Sequence, residues 1–187
     1  MRLTKPRIGS LFSGYGGLDL AVESFFDAEV AWFVEYEEAP SKILAHHYPQ
    51  VPNHGDVTAL DWSTVEPVDI LTGGYPCQPF SAAGSRRGAD DDRHLWPYVR
   101  EAIRCLRPRY TILENVKGHL SLGFDRILGD MAEDGMDAQW VSLRASHTGA
   151  PHHRERLFIV ATPAHARSVG FQEVRITSRK QAKITPP

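Results

Sequence analysis

The sequence predicts one α/β domain built on a mostly parallel sheet with helices on both faces. Three observations predict it. The chain has 187 residues, 42% of them hydrophobic and 24% charged, which is enough for one proper core and too little for two. Short β-rich apolar runs alternate with helical patterns, as expected for parallel strands joined by crossover helices. The first run also feeds directly into a glycine-rich turn that opens a helix. In chain order, strands are expected at Ile8–Phe12, Val30–Val34, Val68–Leu71, Tyr110–Leu113, Ala138–Leu143 and Leu157–Ala161, with a short extended piece at Pro52–Asp56. Helices are expected at Leu18–Phe26, Glu38–His47, Leu95–Leu106 and Phe124–Glu133. The third has Arg93 or His94 near its start and Pro108 just beyond its end, where proline cannot continue a helix. The stretch Gly73–His94 is too long and too rich in Gly, Pro, Ser and charge to be a simple connection, and is read as a functional loop. Thr162–Pro187 has no apolar period, so residues 1–161 are read as the domain and 162–187 as a basic, extended or partner-binding tail.

Composition removes several function classes. No apolar run approaches the roughly 20 residues of a membrane span, and the start MRLTKPRIGS has no hydrophobic signal core. A soluble, cytoplasmic protein with no membrane partner is expected. The two cysteines, Cys77 and Cys105, form no CxxC pair, which argues against a disulfide framework or a zinc ribbon. Lys and Arg total 21 against 23 Asp and Glu, a net charge of −2, so any nucleic-acid surface must be locally basic. Candidates are Arg86, Arg87 and Arg93 in one loop, Arg144, Arg154 and Arg156 in another, and Arg175, Arg179, Lys180 and Lys183 in the tail. Each taken singly also reads as a solvated surface charge.

The segment IGSLFSGYGGLDLA sets Ser13, Gly14, Gly16 and Gly17 between the first strand and the first helix. Glycines there let backbone N–H groups approach a ligand. Asp19 stands where the third small residue of GxGxxG belongs, and there is no GK[ST], so the turn suits a cofactor without a pyrophosphate. Glu35 follows about 20 residues later, the spacing at which a carboxylate reaches ribose hydroxyls. Tyr36 is placed to lie against a purine, and Asp56 in GDVT to accept from an exocyclic amine. A tight turn beside two surface carboxylates would present the same residues.

Cys77, in GGYPCQPFSAAG, follows the strand at Val68–Leu71 and should emerge at the carboxyl edge of the sheet, where the first strand also delivers its glycines. An attacking thiol needs an electropositive setting, which Arg86, Arg87 or the Arg154/Arg156 pair would supply. Cys105, inside the helical run REAIRCLRP, is read as a buried structural cysteine. Glu114-Asn115-Val116 brings a carboxylate to the same edge, and RERLFIV opens a strand with Arg154 and Arg156 on one side. His147, His152 and His153 cluster without Cys or carboxylate partners at metal spacing and are read as loop residues, so no metal is expected.

Taken in order, SLFSGYGGLDLA, PCQPFS, ENV and RERLFIV resemble the cytosine-C5 DNA methyltransferase family over Ile8–Ala161. The resemblance implies a class I S-adenosylmethionine-dependent, Rossmann-like fold. It implies that S-adenosyl-L-methionine is the methyl donor, held by Phe12, Ser13, Gly14, Gly16, Gly17, Leu18, Glu35, Tyr36, Asp56, Val57 and Pro76. It makes Cys77 the nucleophile, Glu114 the carboxylate at the cytosine N3 and amino edge, and Arg156, more distantly Arg154, the arginines that bind the base. His152 stands where the family usually has Gln. The substrate implied is double-stranded DNA with the target cytosine flipped out, since its C6 is unreachable inside a stacked duplex, and the Ser81–Arg93 loop would be the closing element.

The family pattern continues into a target-recognition region and two further motifs that are not found after Ala161. A second polypeptide supplying target recognition is therefore expected. The alternatives are a non-catalytic remnant or regulator that binds S-adenosylmethionine or DNA, and a tRNA cytosine-C5 methyltransferase with the same PCQ nucleophile. A zinc cytosine deaminase is rejected: it needs HxE followed by PCxxC, whereas Phe80 fills the second cysteine position and the only HxE, His153-Arg154-Glu155, comes after Cys77.

Overall fold

The computed structural model describes residues 4–76 and 95–164. They form one six-stranded sheet, β1 (Arg7–Leu11), β2 (Glu29–Val34), β3 (Ile70–Gly73), β4 (Tyr110–Val116), β5 (Met136–Arg144) and β6 (Glu155–Pro163), with helices α1 (Gly17–Phe26), α2 (Glu38–His47), α3 (Trp96–Leu106) and α4 (Phe124–Glu133). The spatial order is β2-β1-β3-β4-β6-β5. The first four strands in that order run parallel, and β6 lies antiparallel between β4 and β5. All the expected strands and helices are present. The extended piece at Pro52–Asp56 contributes a single parallel bridge, Phe33 to Asn53, beyond β2.

The register of β1 against β2 shifts between Ile8 and Gly9, pairing Ile8 with Val30 and Gly9 with Trp32. That bulge changes which face each later side chain of β2 meets. Val30 and Phe33 join Ile8, Ile70, Val22 of α1 and Leu44 of α2 in one core cluster. Ala31, Trp32 and Val34 join Leu11, Leu71, Leu113 and the inner faces of α3 and α4 in the larger cluster on the other side. Gly9 is required by the bulge's neighbour: a Cβ there would sit 2.7 Å from Trp32 Cε2 and closer still to two other indole carbons.

Helices α3 and α4 present the apolar stripes Trp96, Val99, Ala102, Ile103 and Phe124, Ile127, Met131. They are cross-linked by Arg100, whose guanidinium meets Asp130 at 2.6 Å, Asp134 at 2.7 Å and Glu133 at 2.9 Å. Cys105 lies off the α3 stripe and is exposed, which corrects its reading as a buried structural cysteine.

Helices cover both faces of the β2-β1-β3 half of the sheet, and Tyr110 and Ile112 at the start of β4 still pack against the α1/α2 cluster; among the described residues, the Glu114 end of β4 and strands β6 and β5 are covered on the α3/α4 side only. Burial along β4 alternates accordingly: Thr111, Leu113 and Asn115 are buried, while Tyr110, Ile112, Glu114 and Val116 are partly exposed. By register, Glu114 and Val116 share their face with Phe158 and Arg156 of β6 and with Val141 and Leu143 of β5. Val141, Leu143 and Val160 are 50%, 44% and 41% exposed, so this open face is apolar away from its charged centre.

Candidate active site

The site is built where β1, β2, β3 and β4 end. After Leu11 the chain turns sharply, with Phe12 in the left-handed region at φ 51° and its N–H donating to the Val34 carbonyl at 2.8 Å. Gly14 and Gly16 follow at φ 54° and 78°, Gly16 serving as the N-cap of α1. An L side chain is disfavoured at such angles. A Cβ added at Gly14 or Gly17 would meet nothing within 4 Å, so these glycines leave space at the turn that a side chain would fill.

Glu35 comes directly after β2 and is 7% exposed. Its two carboxylate oxygens accept the N–H of Gly14 at 2.7 Å and of Glu37 at 2.8 Å. Asn53 fixes the Glu35 backbone by accepting its N–H at 2.9 Å and donating to its carbonyl at 3.0 Å. Asp56 caps the 3-10 turn Val57–Ala59 by accepting the Thr58 N–H and hydroxyl on one oxygen.

Two adjoining clefts share Phe12. One, of about 380 Å³, is lined by Glu35, Tyr36, Asp56, Val57 and Pro76 among others. The other, of about 460 Å³, is lined by Ser13, Gly14, Gly17, Leu18, Asp19, Thr72, Glu114, Arg154 and Phe158 among others. Volumes of a few hundred Å³ are typical of small-molecule sites. The expected cofactor residues thus divide between two clefts, except Gly16, whose role is the left-handed N-cap.

Glu114 receives Arg156 Nε at 2.6 Å, each side chain about a quarter exposed. Arg154 lines the larger cleft beside Glu114. Between the two arginines, Glu155 points elsewhere and binds Lys117 at 3.0 Å and Arg144 at 3.1 Å. Hydrogen bonds from Lys117 and then Arg144 hold its carboxyl below the ordinary range. Asn115, 2% exposed, donates to the Tyr75 carbonyl at 3.1 Å and accepts the Val116 N–H at 2.8 Å, tying β4 to the segment that leads into Cys77. Cys77 itself, the Ser81–Arg93 loop with Arg86, Arg87 and Arg93, His94, and the tail bearing Arg175, Arg179, Lys180 and Lys183 lie outside the described residues. His152 and His153 are exposed, and among the described residues no group of His, Cys, Asp or Glu is arranged to hold a metal.

Sequence reasoning missed Asn53, Asn115 as a backbone clamp, and above all Asp19. Asp19 is 1% exposed, with hydroxyl donors Ser10 on one oxygen at 2.8 Å and Thr72 on the other. Burial pushes its carboxyl above the ordinary range, against the opposing hydrogen bonds from Thr72 and Ser10. Its position in the first turn of an amphipathic helix, beside Ser10 on β1, was the available signal.

A family described as C-5 cytosine-specific DNA methylase matches residues 7–185. The chain is 32% identical to the orphan methyltransferase M.Rho11sI of Bacillus phage rho11s over 167 residues, covering 84% of this chain and 33% of that one. It is 30% identical to the type II methyltransferase M.HhaI of Haemophilus parahaemolyticus over 164 residues, covering 85% and 50% respectively. Here too the chain spans half or less of the relative's length. Among solved structures, a putative DNA modification methyltransferase encoded within an E. coli prophage superposes with a TM-score of 0.71 at 26% identity, covering 87% of this chain and 48% of that one. The S. pombe Dnmt2 methyltransferase superposes with a TM-score of 0.73 at 18% identity, covering 97% and 59%. The matched range, residues 7–185, includes the glycine turn, Glu114 and both arginines, and by that match and the relatives' identity the chain belongs to the C-5 cytosine-specific DNA methylase family.

Proposed function

We propose that this chain is the cofactor-binding and catalytic part of a DNA (cytosine-5)-methyltransferase that acts through Cys77. The observation that carries the reading is the convergence at one sheet edge of the Glu35 cleft, which Pro76 also lines, the glycine turn and the Glu114–Arg156 pair. The donor set fits S-adenosylmethionine. Glu35 offers a buried carboxylate to ribose hydroxyls, Tyr36, Asp56, Val57 and Pro76 surround an adenine, and Phe12, Ser13, Gly14, Gly17 and Leu18 flank the methionine portion, with Gly16 shaping the turn. When bound, the cofactor supplies an electrophilic methyl group to C5 of cytosine. No metal takes part in this reading.

The chain's residues make C5 receptive. The Cys77 thiolate adds to C6, forming an S–C6 bond and pushing electron density to C5 and N3. Glu114 faces the N3 and amino edge of the base and Arg156 its O2, so the guanidinium stabilises charge where it develops. Arg154 shapes the wall beside them. Loss of the C5 proton then returns electrons to expel Cys77. Flipping the base out of double-stranded DNA costs a few kcal/mol, met by contacts at the larger cleft.

The catalytic domain runs through Pro163, the end of β6, two residues past the boundary expected at Ala161, and the residues after it are read as a basic, extended or partner-binding tail. The substrate in this reading is double-stranded DNA, met in the cytoplasm or on a nucleoid. The open apolar strip of Val141, Leu143 and Val160 supports a covering partner there, since exposed apolar patches mark interaction surfaces.

The test is a covalent trap. DNA carrying 5-fluorocytosine, incubated with the chain and S-adenosylmethionine, should yield an adduct mapped by mass spectrometry to Cys77. Cys77→Ala should abolish it and Cys105→Ala should leave it. The control is demanding, because Cys105 is exposed; an adduct at Cys105 would refute the assignment.

A further inference from the structure

Asp19 is an acid that the family reading leaves without a task. It lies on the first turn of α1, in the wall of the larger cleft, with Ser10, Thr72, Ser13 and Gly73 around it. Ser10 donates to one oxygen and Thr72 to the other, while Ser13 Oγ lies 2.8 Å from Ser10 Oγ and donates to the Ser10 carbonyl. Among the described residues no cation is paired with it. The charged and titratable groups facing it are Glu23, one turn along α1, and the Tyr48 phenol at the end of α2, both acidic. Across the cleft stand Glu114 from β4 and Arg154 before β6, and Glu114 is already paired to Arg156.

We propose that Asp19 is the counter-ion of this cleft, a buried carboxyl that distinguishes the positively charged sulfonium donor from its neutral thioether product. The inference rests on the cofactor reading above. S-Adenosylmethionine and S-adenosylhomocysteine share their adenosine, ammonium and carboxylate groups, and differ by one methyl and one positive charge at sulfur. Desolvation favours the protonated form of a buried carboxyl that has no cation beside it. A cation arriving in the same low-dielectric cleft favours its ionised form, so binding the sulfonium releases a proton that binding the thioether does not. The hydroxyls suit both states. When Asp19 is ionised, Ser10 and Thr72 donate to it; when it is protonated, it donates to Ser10, which then donates to Ser13.

The sign follows. The carboxyl's pKa is raised in the empty cleft and lowered by the bound sulfonium. Affinity for S-adenosylmethionine is therefore lowest below the bound-state pKa, rises with pH through the window between the two, by at most tenfold per pH unit, and levels off above the empty-state pKa. Affinity for S-adenosylhomocysteine stays flat across the same window. Product is then released more readily than donor wherever Asp19 is charged.

Isothermal titration of both ligands against the full chain, from about pH 5 to about pH 8 in buffers of different ionisation enthalpy, tests this. Expected are proton release on binding S-adenosylmethionine only, and a donor-to-product affinity ratio that climbs with pH. Asp19→Asn should hold that ratio at its acid-limit value at every pH while leaving S-adenosylhomocysteine affinity within about threefold. The wild-type pH series needs no variant, so an unfolded Asp19→Asn does not blunt the test. Equal pH dependence for both ligands, or a wild-type ratio constant with pH, overturns the counter-ion role and leaves the cofactor reading standing. Binding of neither ligand overturns both.

Discussion

Replacing Glu35 with Ala tests the smaller cleft most directly, because its carboxylate holds the turn together before any ligand arrives. The side chain is 7% exposed and accepts two backbone N–H groups, from Gly14 at 2.7 Å and Glu37 at 2.8 Å. A hydrogen bond to a charged group contributes about 1.5–3 kcal/mol, so Glu35→Ala should cost about 3 kcal/mol or more in unfolding free energy. Loss of one such bond to a ribose hydroxyl should weaken S-adenosylhomocysteine binding by about 10- to 150-fold. Glu35→Gln keeps the volume, but its amide N–H₂ confronts one of the two donors, so an intermediate loss is expected. Glu38 is the internal control: its side chain is 82% exposed and pairs with Lys42 four residues on. Glu38→Ala should change stability by no more than about 0.5 kcal/mol. Urea unfolding followed by tryptophan fluorescence, with calorimetry on the folded variants, gives both quantities. Equal stability and equal ligand affinity for the Glu35 and Glu38 variants would refute the reasoning and return Glu35 to the solvated surface.

Two other perturbations separate chemistry from architecture. Glu114→Gln removes the charge facing Arg156 and should lower tritiated methyl transfer to DNA by about 100-fold or more. Cofactor affinity should change by less than about threefold; a matching fall in both would make Glu114 a cofactor ligand instead. Gly9→Ala drives a methyl into the Trp32 indole, which is anchored by its Nε1 donating to the Glu66 carbonyl at 2.9 Å. Overpacking of this kind costs about 1–3 kcal/mol, or roughly 2–12 °C in melting temperature for a chain of this size. An unchanged melting temperature by scanning calorimetry would show that the indole has room to move.

The parts legible in the sequence were those encoded within a few residues of each other. Alternating apolar runs located every strand, and the glycine run located the turn, because the left-handed angles at Gly14 and Gly16 are nearly exclusive to that residue type. Glu35 was legible through its spacing from the glycines. What escaped was decided by distant pairing. That β6 inserts antiparallel between β4 and β5 depends on the register of Val116 with Arg156 and of Arg144 with Glu155, which no local pattern encodes. Asn53 and Asn115 clamp backbone 18 and 40 residues away. Asp19 looked only like a residue spoiling a dinucleotide fingerprint, since its burial arises from Thr72 on a strand 53 residues later. Cys105 was misread because hydrophobic character stood in for helical phase: Trp96, Val99, Ala102 and Ile103 define the buried stripe, and position 105 falls outside it.

The half-covered sheet also bears on the order of events in time. The strands that carry Glu114 and Arg156 are anchored from one side, where Leu113, Leu157 and Ile159 are fully buried against the α3/α4 core. The Glu114–Arg156 pair is therefore in place once that core forms, without waiting for anything on the opposite face. Whatever settles on Val141, Leu143 and Val160 arrives at a finished template. Anything that docks there meets Glu114 and Arg156 already paired, so it can add contacts to that pair without having to form it.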